Sequence, residues 1–568
     1  MGNMSSFLKN FYFCIFVLVI GVTLTILLSR KIPIENDEHI QYSTFSCNYY
    51  NYANNNKTYY DSCHQLDLAL LKDIFYDSPY LPLRSYYYVG SIGSIFYIPI
   101  WFFWKSPFNV RLVGFLMLGI QAFFIERIFR FNKYFVFIFL ITFLQYSSQH
   151  IFDLGQLSFQ CTSIFILYYL IINFFNQYKL KKIISYGISI GLLLFIGVWE
   201  RLSYSFFLPG ISIIIIYFII KNLYTHFYKF RNIFIIKNYS IGLLTLTLSF
   251  LIPTFILLTA KDIHNQYYYK IITNNTPNNA IYDVKETYSH FNNKLKKFLL
   301  DPTLTISPEI QFQRYPTLTP YQLVFIDEKD YYNPRRGFFA LLNWLPFILL
   351  FVPYVSKNKA LITDKKLSKN AHKYLSFVLL FATFITLYII STSPASWNMH
   401  HVVLAYPFII LLLLNMYSLY VNKFLKILLL CIFFIFQSYL IFIFYNQKNR
   451  LDFDKNIPYI IDNINKFFDK SSVIVHTEWN IFFIHSSIGK DKTHTVIWNN
   501  TRNIKSTLQL AKDTNKNLIY ISSKDSDILY HLKNKFKKRH NLELKILKHP
   551  KYKLGNYIIG YVKVVNNH

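Results

Sequence analysis

The chain has 568 residues, of which 53% are hydrophobic and 20% aromatic, and its formal net charge is +30. A soluble protein of this length rarely combines these values, whereas long uncharged segments are typical of membrane spans. The positive charge does not indicate a nucleic-acid partner, because the basic residues collect in loops between apolar segments. The composition therefore excludes an ordinary soluble protein and predicts a polytopic α-helical membrane protein.

Twelve apolar segments follow one another along the chain. The first, residues 11–29, is about one bilayer long and has no small-x-small cleavage site after it, which predicts an uncleaved signal anchor. The others lie near residues 86–104, 108–126, 134–150, 157–175, 183–199, 204–220, 239–260, 338–355, 373–390, 402–420 and 424–445.

The sidedness of these segments is predicted from the Lys and Arg residues between them. Eighteen lie in five short connections, whereas the alternate short connections hold only Arg201. Basic connections favour the cytoplasmic side. These connections are residues 127–133, 176–182, 221–238, 356–373 and 421–426.

All five basic connections are cytoplasmic if the N-terminus is cytoplasmic and one early apolar segment does not cross. The segment 86–104 contains Gly90, Gly93 and Pro99 and follows a long polar loop, so we expect a helix that lies along or dips into the outer face. The prediction is then about 11 crossings within a transmembrane domain of residues 1–445. Its large exoplasmic loops are residues 30–107 and 261–337.

Residues 446–568 have the composition of a soluble domain. Five stretches resemble strands, and two stretches, 503–514 and 525–540, resemble helices. This alternation predicts a small α/β domain on the exoplasmic side. The strand-like stretches are "SSVIVHT", "HTVIWN", "NLIYISS", "LELKILKH" and "NYIIGYVKV".

An acidic pair, Asp37 and Glu38, follows the first apolar segment in the stretch "PIENDEHIQYS". A carboxylate at a membrane face acts as a general base or binds a metal or a sugar hydroxyl. Acidic residues also simply cap the ends of spans, and both interpretations stay open at this point. The loop behind the pair holds about fifty residues, which is long for a connector.

Two cysteines, Cys47 and Cys63, lie sixteen positions apart in this loop. An oxidising compartment would favour a disulfide between them. The sequence is equally compatible with two free thiols, because it does not give the distance between them.

Further motifs recur where the chain meets the predicted outer face. Together with the acidic pair, their order and sidedness resemble the GT-C glycosyltransferase superfamily, closest to the protein O-mannosyltransferase and aminoarabinose-transferase type. The motifs are "LPLRSYY" at 81–87, "SPFNVRLVG" at 106–114, "QYSSQHIFDLGQLSF" at 145–159, "NPRRGFFALLNWLPFILL" at 333–350 and "MHHVVLAYP" at 399–407.

The resemblance implies roles for individual residues. Asp37 and Glu38 match the catalytic Asp-Glu pair, and Asp153 matches an acidic residue on the acceptor or metal side. The motif at 81–87 departs from the family's His-Pro-Pro-Leu, and His400 stands where the family has Arg. The implied contacts to the donor phosphate are Arg84, Arg111, Arg335, Arg336 and His400.

The activity implied is transfer of a sugar from a polyprenyl-phosphate donor to a lipid, glycan or protein acceptor. It would proceed by inverting displacement on the periplasmic face of a bacterial inner membrane, with the N-terminus cytoplasmic and the C-terminal domain periplasmic. Oxygen ligands would suit Mg²⁺ or Mn²⁺. The second outer loop has no Asp-x-Asp, so no metal or other cofactor is predicted to be required.

Two rival functions stay open on the sequence. A glycan polymerase or ligase would join preassembled chains with Arg and His in a large outer loop. A lipid or solute transporter usually has inverted repeats and helices broken near mid-membrane, and the sequence has no internal repeat.

Overall fold

The structure, a computed structural model, forms two compact units, one built from helices and one around a five-stranded sheet. We call them the helical unit and the sheet unit, and describe each by itself. Besides a few single positions, the described residues are 2–29, 84–86, 89–90, 99–100, 103–104, 109–151, 155–200, 202–224, 233–259, 366–392, 403–419, 423–446, 472–476, 494–497, 517–523, 542–548 and 557–566.

The described part of the helical unit contains eleven α-helices, two 3-10 segments and the short strand Val89–Gly90. The shorter 3-10 segment, residues 403–405, directly precedes a helix. The longer 3-10 segment, Leu202–Phe207, leads directly into a helix. The helices are α1 Gly2–Ser29, α2 Asn109–Phe129, α3 Lys133–Thr142, α4 Leu144–Ile151, α5 Gly155–Phe175, α6 Leu180–Glu200, α7 Leu208–Leu223, α8 Ile233–Thr259, α9 Lys366–Thr392, α10 Tyr406–Leu419 and α11 Lys423–Asn446.

These helices confirm the prediction of a polytopic helical membrane protein. Ten of the eleven predicted crossings coincide with described helices, and the remaining one, 338–355, lies outside the described residues. Within the described part, six helices are long and apolar enough to cross a membrane: α1, α2, α5, α6, α7 together with the end of the longer 3-10 segment, and α8. The number of crossings stays a prediction, because α3, α9, α10 and α11 have shorter apolar stretches.

The predicted crossing at 134–150 is broken at Phe143, which separates α3 from α4. A break inside a membrane frees backbone groups that lipid cannot satisfy. The buried Gln437 of α11 compensates, because its Oε1 accepts a hydrogen bond from the backbone N–H of Leu144 at 3.1 Å. A polar side chain on a distant helix therefore makes the break tolerable.

The prediction of a helix at the outer face from residue 86 is wrong for the first residues of the segment. Residues Arg84–Tyr86 form a strand, β1, and residues Val89–Gly90 form a second strand, β2. The local sequence is rich in tyrosine with a valine before glycine, a composition that favours extended backbone over helix. The rest of the segment lies almost entirely outside the described residues.

Glycines let α6 and α8 approach closely. Gly187 and Gly191, four residues apart on α6, face α8, where a Cβ on Gly187 would lie 2.6 Å from the carbonyl oxygen of Gly242. A Cβ on Gly191 would lie 2.8 Å from the Cβ of Ser249. This is the small-residue spacing by which membrane helices pack backbone against backbone.

We therefore expect Gly191→Leu to destabilise the helical unit. A larger side chain has no room against α8, and overpacking of this kind costs about 1–3 kcal/mol. Thermal unfolding in detergent should show a lower midpoint than for wild type. The control is Ile188→Leu on the exposed side of the same helix, and equal midpoints for the two variants would contradict the close packing.

The sheet unit contains a five-stranded mixed sheet in the order β4-β3-β5-β7-β6. The first three strands of this order are parallel, with Ile474 opposite Ile519, whereas β7 is antiparallel to both of its neighbours. Each strand coincides with a predicted one, whereas the predicted helices at 503–514 and 525–540 lie almost entirely outside the described residues. The strands are β3 Ser472–His476, β4 His494–Ile497, β5 Asn517–Ser523, β6 Leu542–Lys548 and β7 Tyr557–Asn566.

Candidate functional site

The contacts between α1 and α2 show that these helices are antiparallel. Val17 of α1 lies against Gly119 of α2, and one turn later Gly21 lies against Leu112. As the residue numbers increase along α1, the numbers of the residues that they contact on α2 decrease. As a result Ser29, the last residue of α1, lies at the same end of the helical unit as the N-terminus of α2.

Helix α5 runs parallel to α2. The Gln121 side chain donates a hydrogen bond to the Thr162 hydroxyl at 2.9 Å, and the rings of Phe124 and Tyr169 are 5.4 Å apart. From the first contact to the second, the residue numbers increase on both helices. The N-terminal ends of α2 and α5 therefore lie together.

Helix α10 has the same direction as α2 and α5. Near its start, the Val403 carbonyl accepts a hydrogen bond from the Cys161 thiol of α5 at 3.7 Å. Near its end, the ring centre of Tyr417 lies 5.8 Å from that of Phe131, two residues after the end of α2. We call the end that holds the N-termini of α2, α5 and α10 the Arg111 end, and the opposite end the Lys133 end.

The two ends differ sharply in charge. Among the described residues of the helical unit there are fifteen Lys and Arg, and only Arg111 lies at the Arg111 end. The fourteen others lie at the Lys133 end, on the starts of α1, α3, α6, α8, α9 and α11, the ends of α2 and α7, and the turns that join them. The charge difference predicted from the loops is therefore present in the arrangement of the helices themselves.

Lys133 ties three helices together at its end. Its ammonium donates to the Asn10 side chain of α1 at 2.6 Å and lies 3.8 Å from the Glu126 carboxylate of α2. The same ammonium lies 5.2 Å from the centre of the Phe13 ring. These contacts keep the start of α3 against α1 and α2.

Arg111 is completely buried, with 0% of its surface exposed, two residues after the start of α2. It lies about 15 Å along α2 from Gln121, and the start of α5 lies about 10 Å from Thr162, the partner of Gln121. Arg111 is therefore level with the start of α5 to within a turn. The N-terminus of a helix carries a partial positive charge that adds to the guanidinium, and the two together favour an anion.

A network of buried polar side chains joins the middle of α2 to α4 and α5. The Tyr146 hydroxyl of α4 donates to the Gln121 side chain at 2.9 Å, and Gln121 donates to Thr162. Thr162 in turn donates to the Ser158 carbonyl at 2.7 Å. Three helices are thus held in register by hydrogen bonds whose partners are all buried, which makes each bond costly to remove.

His150 extends this network toward the Arg111 end. Its Nδ1 lies 2.5 Å from the Ser158 hydroxyl, and its ring lies 4.3 Å from the Tyr146 ring. The residue is 1% exposed, and its Nε2 has no hydrogen-bond partner within the part of the chain that the structure describes. Unpartnered buried nitrogens are rare in folded proteins.

The sequence reasoning singled out Asp153 in the stretch "QYSSQHIFDLGQLSF" and did not select His150 or Ser158. The available signal was the run of polar residues in a segment otherwise apolar on both sides. Glu200, at the last position of α6, is another polar residue that the structure buries, with 2% of its surface exposed.

Of the site residues predicted from the sequence, Arg111 is described with its side chain. Arg84 lies on β1, in the sheet unit. The roles assigned to both stay predictions. The remaining predicted residues lie outside the described part of the chain, and their roles also stay predictions. They are Asp37, Glu38, Asp153, Arg335, Arg336 and His400, together with the disulfide candidates Cys47 and Cys63.

A metal site also stays untested. No three His, Cys, Asp or Glu residues come together in a way that could hold an ion among the residues that the structure describes. The acidic residues with which a metal would be expected, Asp37, Glu38 and Asp153, lie outside that part.

No protein-family model matches the chain, and no curated protein sequence matches it. Solved structures do resemble it. The chain is similar to ArnT from Cupriavidus metallidurans in the apo state, with a TM-score of 0.46 and 9% identity over 96% of this chain and 97% of ArnT. It is also similar to ArnT bound to undecaprenyl phosphate, with a TM-score of 0.39 and 7% identity over 84% and 88%.

A third similar structure is the archaeal oligosaccharyltransferase AglB from Archaeoglobus fulgidus in complex with an inhibitory peptide and a dolichol-phosphate. Its TM-score is 0.39 and its identity 10%, over 97% of this chain and 74% of AglB. At TM-scores below 0.5 these three likenesses carry no argument about the fold or the activity of this chain.

Proposed function

We propose that the chain transfers a sugar from a polyprenyl-phosphate donor to a lipid, glycan or protein acceptor at the Arg111 end of the helical unit. The observation that carries the proposal is the burial of Arg111 at the end of the unit away from its other described cations. This residue lies completely buried at the end that the other fourteen described cations of the unit avoid.

The distribution of charge supports an orientation for this reaction. Cationic connections are retained on the cytoplasmic side of a bacterial inner membrane, so the Lys133 end is cytoplasmic in the proposal. The Arg111 end then faces the periplasm. An arginine buried there is costly and is retained for a function or a specific partner.

A polyprenyl-phosphate sugar suits such a site. Its tail is insoluble in water, so the enzyme must meet the donor within the bilayer, between helices that lipid can reach. The phosphate lies near the membrane face and departs as an anion when the sugar is transferred. A guanidinium at a helix N-terminus stabilises that charge with directed hydrogen bonds.

The acceptor side of the reaction is assigned to the acidic pair. Helix α1 ends at Ser29, eight residues before Asp37, at the Arg111 end. In the proposed inverting displacement, an acceptor oxygen forms a bond to the anomeric carbon while the bond from that carbon to the phosphate oxygen breaks. Asp37 takes the acceptor proton, and Glu38 and Asp153 orient the acceptor.

The test is mass spectrometry of lipid-linked sugars and surface glycans in a strain that lacks the protein. We expect one polyprenyl-phosphate monosaccharide to accumulate and one sugar to be missing from its acceptor, with both restored by the wild-type gene. Accumulation of a lipid-linked oligosaccharide would instead indicate a ligase or polymerase. Transmembrane flux by the purified protein without sugar transfer would indicate a transporter.

A further inference from the structure

An apolar groove runs along the surface of the helical unit at the Lys133 end, far from the proposed site. It lies between α3, α10 and α11 and is partly open to the surroundings. Its lining contains no charged residue. The lining residues are Phe131, Phe135, Val136, Phe139, Leu413, Leu414, Tyr417, Leu429, Leu430 and Phe433.

Aromatic contacts form the walls of the groove. The ring centres of Phe139 on α3 and Phe433 on α11 are 4.9 Å apart. Those of Phe131 and of Tyr417 on α10 are 5.8 Å apart. Most of the lining is buried, whereas Phe135 at the opening is 38% exposed. The groove is thus a preformed feature of the packed helices.

The exposed face of α11, the helix that forms one wall of the groove, is apolar in the way expected of a surface in contact with lipid. Phe424, Ile427 and Ile435 are all at least 60% exposed, on the side of α11 that faces away from the groove. Such residues are stable on the outside of a helix only where the surroundings are themselves apolar. The outside of the helical unit is therefore surrounded by hydrocarbon at this level, and the groove, whose exposed lining residue is Phe135, opens into the same surroundings.

A cation lies at the polar edge of the groove. The Lys426 ammonium lies 5.1 Å from the centre of the Tyr417 ring, and Tyr417 is itself part of the lining. Arg130 directly precedes the lining residue Phe131 and is exposed at the same end. An apolar groove bordered by cations complements a molecule with a hydrocarbon chain and an anionic head.

We propose that this groove binds one acyl chain of an anionic phospholipid from the cytoplasmic leaflet, with the lipid phosphate at Lys426. Arg111 lies about 27 Å away along α2, so the lipid site and the proposed donor site are separate. The inference uses the orientation argued above but not the reaction. A chain that transfers no sugar would still retain the lipid.

The test is native mass spectrometry of the full chain from nanodiscs that contain phosphatidylglycerol and phosphatidylethanolamine with identical acyl chains. We expect phosphatidylglycerol to be retained preferentially. Lys426→Gln should lower its retention roughly fivefold, the effect of one cation at an anionic surface. The matched control, Lys181→Gln, removes an exposed cation at the same end and should retain as much lipid as wild type.

A second pair of variants tests the groove itself. Leu430→Trp fills the opening and should release both lipids, whereas Leu192→Trp, on an exposed position of α6, should release neither. Equal retention of the two lipids by wild type, or equal effects of Lys426→Gln and Lys181→Gln, would overturn the proposal. A polyprenyl phosphate as the retained molecule would also overturn it. If Leu430→Trp does not fold, the proposal is tested by comparing the lipid retention of Lys426→Gln with that of Lys181→Gln.

Discussion

Replacement of Arg111 by lysine should lower the rate of sugar transfer about 100- to 1,000-fold, with the protein still folded. Loss of one well-placed donor to a developing anion has an effect of this size. Lysine keeps the positive charge at this fully buried position but lacks the planar pair of N–H groups that can hold two phosphate oxygens at once. The measurement is transfer of radiolabelled sugar from purified donor, together with thermal unfolding in detergent.

The control for Arg111 is Arg127→Lys on the same helix. Arg127 is exposed at the Lys133 end, 5.1 Å from the Phe123 ring, and should tolerate the change without loss of transfer. If both variants transfer sugar at the wild-type rate, Arg111 is a structural residue, and the proposal loses the observation that carries it.

Replacement of Asp37 by asparagine should reduce transfer about 100- to 10,000-fold, the range associated with loss of a general base. Donor binding should change little, because Asp37 is proposed to act on the acceptor. Steady-state rates with saturating donor, together with a separate measurement of donor affinity, distinguish these effects. Glu35→Gln is the matched control in the same segment and should retain activity.

The same variants distinguish the transferase from its closest rival. Loss of activity in Asp37→Asn would favour a transferase of single sugars, which needs a base for the acceptor. A polymerase or ligase would instead keep its activity in Asp37→Asn and lose it when Arg and His residues of the large outer loop are replaced. Full activity of Asp37→Asn would exclude the proposed catalytic role of the acidic pair.

Several structural features were not predictable from local patterns. The break at Phe143 is tolerated because Gln437, almost three hundred residues away, accepts a hydrogen bond from the freed N–H of Leu144. The segment 86–104, which was expected to be a helix, starts with extended backbone, since its tyrosines favour strands. The close contact of α6 with α8 depends on two glycines that a hydropathy pattern counts only as small gaps.

In the candidate site too, some features could be predicted from the sequence and others depend on how the helices pack. Arg111 was selected from the sequence by its position after "SPFN" and by resemblance, and its complete burial is a property of the packed helices. His150, Ser158, Gln121 and Tyr146 were missed, because each is an unremarkable polar residue until α2, α4 and α5 bring them together.

By itself, the sequence determined the class of protein, the places of the described helices, which ten predicted crossings cover, and the charge difference between the two ends. These properties depend on runs of neighbouring residues, since bilayer thickness sets the length of a span and loop charge sets its direction. Only the tertiary structure decided which helices share an end, which polar groups meet in the interior, and where an apolar groove remains between helices. Those features depend on contacts between side chains far apart along the chain, which no local pattern records.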